Sequence, residues 1–222
     1  MSMSLNLHKS NRRRLLLAGV ATVTGLAGLP ARAGSYEDFF RAINIDAPDI
    51  IRDLLARGFD PNARDPRGQV ALSLAFKDES LKAAEALFAH PQLDVNAENP
   101  VGETPLMMAA MRGYLDWAQR LVKRGAKVNK PGWSPMHYAA IAPDQRMMQF
   151  MLAQGGDVSA LSPNGTTPLM MAARNGDERT VDLLLARGVD VKAKNQAGYT
   201  AADMARSQDR DNLAARLQAL QR

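Results

Sequence analysis

The 222 residues contain no cysteine. That absence excludes a disulfide framework, a thiolate nucleophile, soft thiolate metal ligands and a cysteine for lipid attachment. Histidine is nearly as scarce: His8 lies in the first ten residues, which leaves His90 and His137 for the remainder. Two histidines without cysteine give no zinc-ligand spacing, and neither a glycine-rich phosphate loop nor a calcium loop is present. Acidic pairs occur at helical four-residue spacing, Asp49 with Asp53 and Glu178 with Asp182. They fall early in expected helices, where negative charge suits the helix dipole, and nothing in the spacing demands the desolvated cleft that acid–base work needs. A bilayer-spanning run is missing too. The longest apolar stretch, residues 15–29, has 15 residues and three glycines, short of the roughly 18 that a crossing helix requires.

That stretch reads instead as the core of an export leader. Lys9, Arg12, Arg13 and Arg14 precede it, and Ala31, Arg32 and Ala33 follow as a small-x-small cleavage site. Residues 1–33 are therefore expected to be a cleavable signal, with the mature chain starting near Gly34 in the periplasm. Arg12 and Arg13, followed by Arg14 and Leu15, resemble the twin-arginine motif, and both the weakly apolar core and Arg32 suit that route. The leader also carries the whole formal charge of +5, because residues 34–222 hold 23 basic and 23 acidic side chains. A neutral mature chain has no electrostatic reason to bind nucleic acid or an anionic membrane.

Residues 34–222 repeat. Ala42, Ala75, Ala109, Ala139, Ala172 and Ala205 recur at intervals of 33, 34, 30, 33 and 33 residues. Nine, twelve and thirteen residues beyond each lie apolar residues, from Ile51, Leu54 and Leu55 to Val181, Leu184 and Leu185; Gln218 alone is polar. Such an interval marks a solenoid whose units bury their faces only against neighbours. Thr104-Pro105 and Thr167-Pro168 predict a capped first helix. Gly58, Gly125, Gly155 and Gly188 predict the end of a second helix. Gly102, Gly132, Gly165 and Gly198 predict a projecting turn after it.

Helix, turn, helix and projecting turn, anchored by Thr104-Pro105-Leu106-Met107-Met108-Ala109-Ala110 and by its counterpart from Thr167 to Ala173, resemble the ankyrin repeat over residues 36–222. The resemblance implies an all-α solenoid of about six helix-turn-helix units with projecting β-turns, forming one domain over residues 34–222. It implies a histidine at His137 that hydrogen-bonds locally, a bond expected to be lost where Met107 and Met170 replace it. Residues 37–42 and the polar Asp203, Gln208 and Gln218 read as terminal caps. The turn before the fourth unit is about three residues short, which should stunt its finger and leave Trp133 at the rim of the concave face.

In this family the concave side binds another protein. The resemblance places Lys77, Asp78, Met111, Arg112, Ile141, Ala142, Arg174 and Asn175 in that groove. The turn tips are expected to add Pro100, Val101, Glu103, Trp133, Asn164 and Thr166. The expected binding set is Lys77, Asp78, Met111, Arg112, Trp133, Ile141, Arg174 and Asn175. No catalytic residue, cofactor or metal is expected, the chain is expected to be monomeric, and the implied function is a non-enzymatic periplasmic interaction module. An inhibitor or immunity protein for a periplasmic toxin or enzyme is the alternative. Ten methionines beyond the leader leave a weaker one, copper or oxidant handling through thioethers, against which stands their use as seam filler, with Met111 and Met147 off the interior positions.

Overall fold

The structure, a computed structural model, describes residues 31–222, with side chains from residue 34. The expected leader lies outside the described residues apart from the backbone of its last three. Twelve helices follow in chain order: α1 (Ala31–Asn44), α2 (Pro48–Ala56), α3 (Ala71–Lys77), α4 (Leu81–Phe88), α5 (Pro105–Arg112), α6 (Leu115–Lys123), α7 (Pro135–Ala139), α8 (Gln145–Ala153), α9 (Pro168–Asn175), α10 (Glu178–Leu185), α11 (Ala201–Arg206) and α12 (Asp211–Ala219). They form six antiparallel hairpins, each packed on the next, with no strand among the described residues.

The anchor alanines sit one to each first helix, all exposed by 1% or less. First helices touch along this row, and a longer side chain there would push them apart. Ile51, Leu87, Leu121, Met151, Leu184 and Leu217 fill the seam from the second helices. Each buried side chain of this kind contributes about 2 kcal/mol of transfer free energy. At the start of α5 and α9, Thr104 and Thr167 accept from the Met107 and Met170 amides at 3.4 and 3.2 Å, and proline occupies the first turn.

The projecting turns are closed by a polar side chain at their base. Asp65 Oδ1 accepts from the Gln69 amide at 2.8 Å, Asn99 Oδ1 from Glu103 at 2.9 Å, Ser162 Oγ from Thr166 at 2.9 Å and Asn195 Oδ1 from Tyr199 at 3.0 Å. Before α7 the three deleted residues remove that base, so the chain passes from Lys130 through Gly132, at φ 75°, straight to Trp133.

Helix ends show what the glycine pattern left out. α4 is followed by His90 rather than a left-handed glycine. Its carbonyls are closed from the next hairpin by Arg124, which donates to Phe88, to His90 at 2.6 Å and to Pro91 at 3.2 Å. α9 ends at Gly176 in extended conformation, and Arg210 donates to Ala172 and Ala173 at 3.0 and 2.9 Å. Arg112 does the same for Lys77 at the end of α3.

Candidate functional site: the inner angle of the array

Fingers and first helices meet at an inner angle. The residue just before each anchor alanine from the second hairpin on is Leu74, Met108, Tyr138, Met171 or Met204. Met108 is 5% exposed and the other four are half-buried against the core. Tyr138 locates this row on the finger side, because its hydroxyl donates to Glu103 Oε1 at 2.5 Å at the base of the third finger. Glu103 is fixed in turn by Asn99 at 2.6 Å, which also donates to Gln69 at 3.1 Å. Burial, reinforced by the Glu103 carboxylate, pushes the Tyr138 phenol well above its ordinary value, so it stays a donor.

A second row runs parallel, two residues beyond the anchors: Lys77, Met111, Ile141 and Arg174, cationic at both ends and apolar in the middle. Met111 and Ile141 are half-buried, while Lys77 and Arg174 are exposed with no ion-pair partner among the described residues. Asp78 and Asn175 are exposed beside them. Although Asp78 reaches solvent, the protein around it pushes its carboxyl up, against the pull of Lys77, Arg112 and Arg67.

Of the eight expected binding residues, Lys77, Met111, Ile141 and Arg174 make up this second row, and Asp78 and Asn175 are the exposed residues next to its two ends. Arg112 is committed elsewhere: besides capping α3 it pairs with Glu79 at 3.3 Å, tying one hairpin to the one before. Trp133 is half-buried rather than free at the rim. Its ring meets His137 edge-on at 5.2 Å and Tyr138 at 6.4 Å, so it belongs to the floor. The row before the anchor alanines escaped sequence reasoning, although one apolar residue per repeat at constant register was its signal.

His137 is fully buried. Its Nδ1 accepts from the Ser134 amide at 3.2 Å and its Nε2–H donates to the Thr166 carbonyl at 2.9 Å, joining the fourth hairpin to the fifth finger. Burial lowers its pKa, so the neutral imidazole is the native form. In the third hairpin Met107 keeps part of this arrangement, with the Thr104 amide directed at its sulfur at 3.5 Å. The local bond expected to be lost there is weakened, not absent. Met147, expected off the interior, is 1% exposed; Met107, Met136, Met148, Met151 and Met170 are likewise buried in the seam. Among the described residues no group of three histidine or acidic side chains is placed to hold a metal.

Residues 39–132 and 128–195 match the family model for ankyrin repeats in three copies. A stretch of 117 residues, 51% of the chain, is 30% identical to the human transient receptor potential cation channel subfamily A member 1, over 10% of that protein. Another of 132 residues, 56% of the chain, is 30% identical to the mouse B-cell lymphoma 3 protein homolog, over 30% of its length. The chain thus spans no more than 30% of either relative. Among solved structures, a chain in the complex of the predatory endopeptidase Bd0816 with immunity protein Bd3460 from Bdellovibrio bacteriovorus superposes with a TM-score of 0.67 at 26% identity, covering 82% of this chain and 97% of that one. Hairpins, fingers, repeat interval and family model agree, and the chain belongs to the ankyrin-repeat family.

Proposed function

We propose that this chain is a non-enzymatic binding module of the periplasm that holds a protein partner in the inner angle, and that the partner is an enzyme kept inactive by being held. The observation that carries the binding role is the apolar row of Leu74, Tyr138, Met171 and Met204, half-buried at every inner step except the buried Met108, and flanked by Lys77 and Arg174. A row of this kind is too exposed to be core and too regular to be incidental surface. The inhibitor reading is favoured by the endopeptidase–immunity complex, since a helical repeat array matching nearly a whole chain there has the form of the inhibiting partner rather than of a peptidase. The leader's basic start, apolar core and Ala31-x-Ala33 site support export.

The test uses Tyr138→Lys, which places a charge in the centre of the floor. Partners are captured from periplasmic extract with the wild type and the variant, and the activity of any captured enzyme is titrated with each. An enzyme inhibited stoichiometrically by the wild type and at least about tenfold less well by the variant supports the proposal. Identical capture by both proteins would remove the groove from the account, and a captured enzyme that stays fully active would replace inhibition with a scaffold role. N-terminal sequencing of the periplasmic protein should begin at Gly34.

A further inference from the structure

The two rows of the groove have a period, a width and a charge pattern that select a shape. Packed helices stand about 8–10 Å apart, so each step of the array presents one floor position at that spacing. An α-helix lying across the first helices advances about 10.5 Å in seven residues and returns the same face to each step. An extended strand covers that distance in about three residues, an odd number, and would turn alternate faces to successive steps. A polyproline helix has the right period but offers one side chain per turn. The floor is two rows wide at Tyr138 and Ile141 and narrows to Met111 where Met108 is buried, and the side chains at i and i+3 or i+4 of an amphipathic helix form a stripe of that width. Along the second row the apolar pair lies between two cations, Lys77 and Arg174, three array steps apart. Three steps are roughly 30 Å, or about twenty residues of helix.

We propose that the groove takes an amphipathic α-helix of its protein partner, about twenty residues long, with apolar side chains repeating every seven residues in its middle and carboxylates near both ends to meet Lys77 and Arg174. The proposal rests on the binding face assigned above and specifies its occupant. Basic helices meet like charge at Arg174, and at Lys77 like charge that Asp78 offsets only in part, and are disfavoured.

The test uses three synthetic, fluorescently labelled peptides of about twenty residues. One is a side-chain-bridged helix with leucine pairs at seven-residue spacing and glutamates at both ends. In the second, lysines replace the glutamates. The third is a proline-rich peptide with leucine at every third position and the same terminal glutamates. Binding is measured to the protein and to its Lys77→Glu/Arg174→Glu variant, whose changes lie at exposed positions. The acidic helix should bind saturably and lose about tenfold in affinity to the variant, which should prefer the lysine-ended helix by a similar factor. No saturable binding of the acidic helix up to about 1 mM, equal affinity for both helices, or tighter binding of the proline-rich peptide would each overturn it. If the acidic helix fails while Tyr138→Lys still releases the natural partner, the groove stands and the helical occupant falls.

Discussion

At the scale of single residues, the array is held by side chains that replace backbone the repeat does not supply. His137 shows the consequence for pH. Its folded pKa is depressed by burial, so the unfolded chain binds the proton more readily. Stability is therefore unaffected above the unfolded value of about 6.5 and falls as the pH drops through it. The lowered carboxylates, Glu85 held by Arg120 and Asp203 by Thr200, lose their contribution only at lower pH, around and below their unfolded values. The protein supplies its own control in Met107 and Met170. His137→Met should cost about 1 kcal/mol at neutral pH, for the orphaned Thr166 carbonyl. It should flatten Tm between about pH 5 and pH 7, read by circular dichroism. An unchanged slope would place the titrating group elsewhere. Ser73 and Thr180 carry buried hydroxyls without a partner among the described residues, so Ser73→Ala should leave urea stability equal or raise it. Gly176 is the opposite case: a Cβ there would lie 2.2 Å from the Ala140 carbonyl oxygen. Gly176→Ala should cost about 2 kcal/mol or more in the same titration.

At the scale of elements, the joints between hairpins are unequal. Asn62, Asn96 and Asn129 occupy one repeat position, and each bridges to the next hairpin. Asn96 donates to the Gly125 carbonyl at 2.9 Å and accepts from the Lys127 amide at 2.8 Å. Asn129 spans Gly155 and Asp157 in the same way, at 2.8 Å each. One step on, Ser159 is too short to reach, and the ladder stops. Ser159→Asn should therefore bridge Gly188 and Asp190 and raise unfolding stability by about 1 kcal/mol; no gain would mean that the shortened fourth turn has moved this joint out of register. Arg124 tests the cross-hairpin caps. It closes the carbonyls of α4 and lies over the Phe88 ring at 4.9 Å. Arg124→Ala should cost about 2 kcal/mol in urea unfolding, and Arg124→Lys should recover little of it, because an ammonium cannot fork across several carbonyls.

These elements also mark how far the sequence could be read. The alanine interval and the Thr-Pro starts located the hairpins because both follow from local chemistry and from a spacing the chain repeats. Arg124, Arg112 and Arg210 were not legible as caps, since each acts on a helix end more than thirty residues away and nothing beside it in sequence reveals the carbonyls it meets. Arg112 was accordingly placed in the groove. Trp133 was placed at the rim because the deletion in its finger was visible, whereas the edge contacts with His137 and Tyr138 were not.

For the molecule as a whole, six hairpins generate one seam and one inner angle, and the proposed binding role rests on the second. The seam is buried and filled by methionine and leucine, so it sets stability; the angle leaves Leu74, Tyr138, Met171 and Met204 half-exposed, an arrangement that costs solubility unless something covers it. The ends differ from the middle as an array requires, with Arg41 where the inner hairpins carry apolar floor residues and Gln218 where they carry seam residues. The proposed partner lies on the finger side of the first helices, with the outer faces of the second helices left to solvent. A photoactivatable side chain introduced at Ile141, compared with one at the exposed Gln119 of α6, tests that placement in living cells. Ile141 should yield a crosslinked partner and Gln119 none; a partner captured from Gln119, or equally from both positions, would contradict it.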